Sequence, residues 1–211
     1  MSRRFLYERG SDEFSRVVTF TDGVFAIAMT LLVVQIEIPK VDPSDLGSAV
    51  SDQTPLIVSF FLSFIVIGYY WMAHHRFFAL LTHVEPGLML INLIYLSAIA
   101  FLPFPTGLVG SYESKPLAVV IYAGALGAAS FLEVAMMTRA RHISALKKNP
   151  TPEAFRFAVF TSLAPVVIFA LSIPIAFYST TLALLFWIVN MPVQWALDRW
   201  LRPAKFEESF Q

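Results

Sequence analysis

The stretch FTDGVFAIAMTLLVV, from Phe20 to Val34, joins an acid to a run of residues suited to a membrane interior. From Gly23 to Val34 no side chain is charged, and Thr30 carries the one polar side chain. An ionisable group at membrane depth is costly, so Asp22 indicates a functional position with a partner on another helix. The stretch therefore predicts a first membrane-spanning helix that takes part in function in addition to anchoring the chain.

The composition of the whole chain agrees with a membrane protein. Its 211 residues are 57% hydrophobic and only 14% charged, whereas soluble domains are about 45–50% apolar and about 25% charged. Fifteen Lys and Arg residues balance fifteen Asp and Glu residues, so the chain lacks the basic footprint that nucleic-acid binding needs. Because there is no cysteine, disulfides, thiolate metal sites and cysteine nucleophiles are excluded.

Six stretches are long enough to cross about 30 Å of hydrocarbon as helices of roughly 20 residues. We place them near residues 17–38, 55–80, 86–109, 115–138, 155–178 and 180–201. Only the segment YSTT, residues 178–181, separates the last two, which predicts a tight hairpin. Kinks are expected at the interior prolines, Pro103, Pro105, Pro165, Pro174 and Pro192. The fold class is an all-α membrane protein with one six-helix domain over residues 1–211.

The basic residues predict how the spans are oriented. If the N-terminus lies in the cytoplasm, thirteen of the fifteen Lys and Arg residues face that side, and only Lys40 and Lys115 face the other. This asymmetry follows the positive-inside rule and predicts that both termini are cytoplasmic.

Four residues of the first span share one face of an α-helix. Ile27, Thr30, Leu31 and Val34 follow the spacing i, i+3, i+4, i+7. Such a stripe suits two interpretations. It is either a helix-packing face with Thr30 bonded to a backbone carbonyl, or a pore wall of apolar rings with one ring of hydroxyls. A single stripe cannot surround a path, so a pore wall requires a symmetric oligomer.

The segment RVVTFTDGVFAIAMTLLVVQIEIP, residues 16–39, resembles the signature first helix of the transmembrane protein 175 family. This family comprises endosomal and lysosomal potassium channels of animals and shorter prokaryotic relatives. Its motif Arg-x-x-x-Phe-Ser-Asp is matched by Arg16, Phe20 and Asp22, while Thr21 replaces the serine and keeps the hydroxyl. Further similar segments are YYWMAHHRFF at residues 69–78 and LINLIYLSAIAFLPFPTGLVG at residues 90–110.

The resemblance implies a leak-like, weakly to moderately potassium-selective channel in the plasma membrane of a prokaryote. The first helix of each subunit of a homotetramer would line the pore within the lipid bilayer. Ile27 would form the narrowest ring, and potassium would pass the hydroxyls of Thr30. Leu31 and Val34 would form further apolar layers. No cofactor is implied, and potassium is the permeant ion.

Asp22 needs partners beyond its own helix. Arg16 lies six residues away, about 240° around the helix, and so cannot pair with Asp22 along one face. Trp71, His74 and Asn92 carry suitable donors and acceptors, and the resemblance supports a network that ties the first helix to the second and third. The predicted inner-end network comprises Arg16, Phe20, Thr21, Asp22, Trp71, His74 and Asn92.

Other interpretations remain open at this point. The main alternative is a proton-coupled or proton-permeable secondary transporter, and a non-conducting scaffold is a third. Glu133 in the fourth span either packs against a neighbouring helix or relays a proton or cation. The basic segment 139–156 sets topology, with anionic headgroups as an alternative role. Adjacent His74 and His75 point about 100° apart on a helix, so no metal site is expected. The sequence contains no enzyme motif.

Overall fold

The computed structural model describes residues 6–112, 114–148 and 150–203. Within them, six helices or helix pairs are long and apolar enough to cross a membrane. They are Asp12–Gln35, Thr54–Ala79, Pro86–Ser111, Pro116–His142, Pro152–Tyr178 and Thr180–Leu201. The predicted number and order of spans are therefore confirmed, and most boundaries agree within a few residues.

The first span begins earlier than predicted. Helix α1 runs from Asp12 to Leu31 and continues as a tighter 3₁₀ turn from Leu32 to Gln35. Ser11 caps its start, since the Ser11 hydroxyl accepts a hydrogen bond from the backbone N–H of Phe14 at 3.1 Å. We expected a start near residue 17 and Asp22 at the foot of the helix. Asp22 instead lies about 15 Å along the axis from Asp12, because each residue advances 1.5 Å.

The remaining helices follow in chain order. They are α2 Leu46–Asp52, α3 Thr54–Ala79, α4 Pro86–Phe101, α5 Pro103–Ser111, α6 Pro116–His142, α7 Pro152–Tyr178, α8 Thr180–Phe186 and α9 Asn190–Leu201. The third span is broken between α4 and α5, where Pro103 cannot donate a helical hydrogen bond. The sixth is interrupted by a 3₁₀ turn at Trp187–Val189. Ser179 alone joins α7 to α8, which confirms the predicted hairpin.

Two prolines lie inside α7, at Pro165 and Pro174. Pro165 has no N–H to donate to the carbonyl of Thr161, four residues earlier. The side-chain amide of Gln194 on α9 donates to that carbonyl instead, at 2.8 Å. A neighbouring helix thus satisfies the backbone group that the proline leaves free, as membrane interiors require.

Buried hydroxyls connect α3 to the helices around it. Thr106 of α5 donates to the Ser63 hydroxyl at 2.9 Å, and Ser63 shares a 2.7 Å hydrogen bond with Tyr122 of α6. Two turns nearer the C-terminal end of α3, the Tyr70 hydroxyl lies 2.6 Å from that of Ser130. An apolar helix face packs against lipid about as favourably as against another helix. Hydrogen bonds between side chains therefore help to determine which helices associate.

A two-stranded ribbon lies at the N-terminal end of α1. Strand β1, Tyr7–Glu8, pairs antiparallel with strand β2, His83–Val84, in the connection between α3 and α4. The Arg9 guanidinium donates to the carbonyl of Ala79 at 2.6 Å and to that of Leu81 at 3.1 Å. These contacts occupy carbonyls that the end of α3 leaves without partners.

The connection between α6 and α7 joins the same layer. The backbone N–H of Thr82 donates to the carbonyl of Ala145 at 2.7 Å, and that of Lys147 donates to Leu80 at 2.9 Å. We call the resulting layer the N-terminal junction; it consists of residues 7–11, 80–85 and 143–148.

One ion pair lies at the edge of this junction. Glu85 accepts hydrogen bonds from Arg139 and from the backbone N–H of Leu88, each at 2.9 Å. Burial alone would raise the pKa of Glu85, but these bonds and one from Gly87 lower it below its ordinary value. Glu85 is therefore an ionised cap for α4 at neutral pH.

Close helix packing at Gly110 gives a test of this fold. A Cβ added there would lie 2.9 Å from Leu56 Cα on α3, whereas one at Gly127 on α6 would meet nothing within 4 Å. We expect Gly110→Ala to lower the stability of the detergent-solubilised protein by about 1–3 kcal/mol, because α3 and α5 must separate. Gly127→Ala is the matched control and should leave the thermal unfolding midpoint unchanged or raise it. Equal midpoints for both variants would contradict the packing.

Candidate functional site on the first helix

The four stripe residues lie on an exposed face of α1 and its 3₁₀ extension. Ile27 is 59% exposed, Leu31 46% and Val34 67%, and Thr30 is exposed as well. Phe25, Ala28 and Leu32, on the opposite face, are at most 1% exposed. Packing within a single chain therefore does not account for the stripe, and lipid, another copy or a pore must cover it.

Two stripe residues have local features that the spacing alone does not show: Thr30 bonds a backbone carbonyl, and Val34 lies in a 3₁₀ turn. The Thr30 hydroxyl donates to the carbonyl of Ile27 at 2.9 Å. This bond uses the hydroxyl proton and leaves oxygen lone pairs to accept from, or coordinate, a group outside the helix. Val34 belongs to the 3₁₀ turn, not to the α-helix as predicted. Three residues per turn replace 3.6 there, so Val34 is rotated from its expected position while remaining exposed.

Asp22 has the partner that its position demands. The indole Nε1–H of Trp71 on α3 donates to Asp22 Oδ1 at 2.9 Å. The acid is half-buried, and the bond joins the middle of α1 to the second span. Of the three candidate partners in the sequence, Trp71 is the one that bonds Asp22 directly.

His74 and Asn92 form a separate chain of bonds to the same helix. His74 Nε2 donates to Asn92 Oδ1 at 2.8 Å, and Asn92 Nδ2 donates to the Thr21 hydroxyl at 3.3 Å. All three residues are at most 2% exposed. The His74 ring stacks on Phe78 and on Tyr95, with centroids 4.4 Å and 5.2 Å apart. The hydroxyl of Thr21 thus accepts a hydrogen bond from α4.

Two residues of the predicted network, Arg16 and Phe20, are not part of it in the structure. Arg16 and Phe20 are exposed on α1. Arg16 forms no hydrogen bond or ion pair among the residues that the structure describes. The predicted single network is therefore two local links, Asp22 with Trp71 and Thr21 with Asn92 and His74.

The C-terminal end of the first span also contacts other segments, which the sequence analysis did not predict. A Cβ at Gly107 would lie 2.5 Å from Gln35 Oε1, so the glycine lets Gln35 approach α5 closely. The Gln53 side-chain amide donates to the carbonyl of Glu37 at 2.7 Å. The glycine in the segment PFPTGLVG was the available signal for this contact.

An apolar groove of about 280 Å³ lies beside the C-terminal half of the stripe, between the 3₁₀ turn and the break in the third span. Phe101 and Phe104 line it and are about half exposed. Exposed apolar surface thus continues from the stripe onto the neighbouring span.

The first half of the chain is similar in sequence to known channel proteins. The sequence profile of the family described as "Endosomal/lysosomal potassium channel TMEM175" matches residues 16–103. A Streptomyces collinus protein named as a potassium channel is 42% identical over 102 residues, which are 48% of this chain and 50% of the relative. A Gallus gallus protein named "Endosomal/lysosomal proton channel TMEM175" is 34% identical over 109 residues, 47% of this chain and 22% of the relative. The matched region therefore spans half or less of these relatives' own length.

The structural match extends over nearly the whole chain. The crystal structure of a lysosomal potassium-selective channel TMEM175 homolog from Chamaesiphon minutus superimposes with a TM-score of 0.74 at 26% identity. The match covers 90% of this chain and 98% of that one. The first three spans, which carry the motif, thus match the TMEM175 family by sequence, and all six spans match a TMEM175 homolog by fold.

Proposed function

We propose that this protein is a leak-like, potassium-permeable cation channel in which the α1 faces of four copies line a central pore. The observation that carries the proposal is that Ile27, Thr30, Leu31 and Val34 are exposed while the opposite face of the same helix is buried. The bonds of Asp22 and Thr21 support a fixed rotation of α1, so the same residues would face the pore in every copy.

The chemistry of this face suits slow conduction of monovalent ions. Rings of Ile27, Leu31 and Val34 would form an apolar neck that water fills only part of the time, so the neck itself limits flux. The Thr30 ring would supply oxygen atoms that replace part of an ion's hydration shell. Without rings of backbone carbonyls, selectivity for potassium over sodium would be weak to moderate.

Four copies need further contact surface, and the groove beside Phe101 and Phe104 supports such contacts. The positive-inside asymmetry supports cytoplasmic termini in the plasma membrane of a prokaryote. The names of the Streptomyces collinus relative and the Chamaesiphon minutus structure, both potassium channels, support potassium as the permeant ion.

A proton-permeable or proton-coupled carrier is the second candidate. The name of the Gallus gallus relative favours it. So does Glu133, a carboxylate within the membrane-spanning helix α6, since an ionisable group at such a position often serves a proton or ion pathway. Glu133 lies on α6 and not on α1, so a proton route through it would not need the α1 face.

Potassium flux from liposomes tests the channel. Purified protein should pass potassium down its gradient without a coupled ion and without early saturation. Ile27→Asn should raise this flux, because an amide keeps the neck hydrated. Ile65→Asn places the same change on α3, at a residue 63% exposed, and is the control that should leave flux unaltered. A saturable flux that requires a proton gradient would instead favour the carrier.

Thr30→Val tests the hydroxyl ring. The substitution keeps the shape of the side chain and removes its oxygen, so the preference for potassium over sodium should fall severalfold with little change in assembly. Thr138→Val is matched, because Thr138 is an exposed α6 residue whose hydroxyl also donates to a carbonyl of its own helix. Reversal potentials under mixed potassium and sodium gradients provide the measurement. Identical reversal potentials for Thr30→Val and wild type would remove Thr30 from the ion path.

Asp22→Ala and Trp71→Phe test the anchor. Each leaves one polar group of the 2.9 Å bond without its partner. Because Asp22 is half-buried and Trp71 is 38% exposed, the cost should lie at the lower end of the range for buried groups, about 1 kcal/mol. We expect lower thermal stability in detergent, fewer tetramers by size-exclusion chromatography and altered flux. Trp195→Phe is the control, since Trp195 lies 65% exposed on α9. If Asp22→Ala assembles and conducts like wild type, Asp22 does not anchor α1.

A further inference from the structure

The connection between α6 and α7 carries a cluster of positive charge that the proposed pore does not use. We call residues 139–156 the basic loop, of which 139–148 and 150–156 are described. Arg139 is already paired with Glu85. The other basic side chains with a permanent charge are the exposed Lys147, Lys148 and Arg156 and the half-buried Arg141. Glu153 is the one acid in this segment, so its exposed surface is strongly positive.

The position of this charge relative to the membrane favours lipid headgroups as its partner. The loop joins two spans, Pro116–His142 and Pro152–Tyr178, so its charges lie within a few residues of apolar helix. The Arg141 guanidinium lies 4.1 Å from the ring centroid of Phe155, which orients it beside an aromatic group.

Helix α9 runs back along α7 and ends on the same side. It carries Trp195 and Trp200, 65% and 75% exposed, next to Arg199. Exposed tryptophan beside arginine is typical of the headgroup level of a bilayer. The basic loop therefore lies where phosphate groups of anionic lipids are concentrated.

Backbone hydrogen bonds connect the loop to the start of α1. Ala145 and Lys147 bond Thr82 and Leu80, and the Thr82 hydroxyl also donates to the Ala145 carbonyl at 3.0 Å. The carbonyl of Thr82 in turn accepts from the backbone N–H of Arg9 at 2.7 Å.

Arg9 is separated from α1 only by Gly10 and the cap Ser11. Gly10 has a φ of 91°, in the left-handed region that favours glycine. The N-terminal junction is therefore a continuous hydrogen-bonded path of two steps from the basic loop to the helix that carries the stripe.

We propose that anionic phospholipid headgroups bind the basic loop through Lys147 and Lys148, and that this binding orders the N-terminal junction and so holds the start of α1. The effect on conduction rests on the proposed function, whereas binding and ordering do not. Each basic residue near an anionic surface contributes about 1 kcal/mol. Neutralising both lysines should thus weaken binding by about thirtyfold.

The experiment uses the full-length protein and phosphatidylglycerol. Binding is followed by native mass spectrometry during a lipid titration, and ordering by hydrogen exchange of residues 6–14 and 80–85 in liposomes. The liposomes consist of phosphatidylcholine with or without phosphatidylglycerol. The variant is Lys147→Gln/Lys148→Gln, and the control is Lys40→Gln/Lys115→Gln, which removes two lysines from the other end of the spans.

In the wild type and the control, phosphatidylglycerol should bind, slow exchange in both segments and change potassium flux. The variant should lose about thirtyfold in affinity and show no lipid-dependent slowing. The inference is overturned if the variant binds like the control, or if exchange in the wild type is the same in both liposomes. Inorganic phosphate that slows exchange equally in phosphatidylcholine liposomes would also overturn it, since a soluble anion would then be the ligand. Absence of flux in every membrane would remove the proposed function and leave binding and ordering to decide the inference.

Discussion

A carboxylate in the middle of a membrane helix cannot be left without a partner, and Asp22 satisfies this constraint by accepting from Trp71 at 2.9 Å. The bond lies about 15 Å along α1, where it limits rotation more effectively than a contact at a frayed helix end. Thr21, the preceding residue, binds Asn92 on a different helix. Two adjacent residues therefore bond two different spans, which leaves α1 one rotation and gives the exposed stripe a defined direction.

The other polar contacts of the bundle act in the same way. Helix α3 bonds α1 through Trp71, α5 and α6 through Ser63, and α6 again through Tyr70. Apolar packing by itself does not distinguish a neighbouring helix from lipid. A buried hydroxyl, in contrast, needs a hydrogen-bond partner at a defined position on another helix. Helix α3 is thus the common partner in these links, and it fixes the orientation of α1 together with the bond from Asn92 on α4.

Much of this arrangement was predictable from the sequence. Long apolar runs separated by polar turns predicted the six spans. The intramembrane acid predicted a partner among Trp71, His74 and Asn92, and the structure shows that Trp71 is the one. Three details of α1 differ from the prediction, and hydropathy carries no signal for any of them. The start of α1 at Asp12 follows from the Ser11 cap, Val34 lies in a 3₁₀ turn that hydropathy does not reveal, and Arg16 is exposed although the motif grouped it with Asp22. The N-terminal junction was missed, because two-residue strands such as Tyr7–Glu8 carry no periodic signal.

The bond between Gln194 and the Thr161 carbonyl restricts how the last hairpin can change in length. Pro165 fixes which carbonyl is free, and Gln194 must reach that one atom from the returning helix. A single residue inserted between Ser179 and Gln194 would rotate the amide by about 100° away from α7. Length variation among relatives should therefore be confined to other connections, such as the segment around Pro43, or should occur here in steps of whole helical turns.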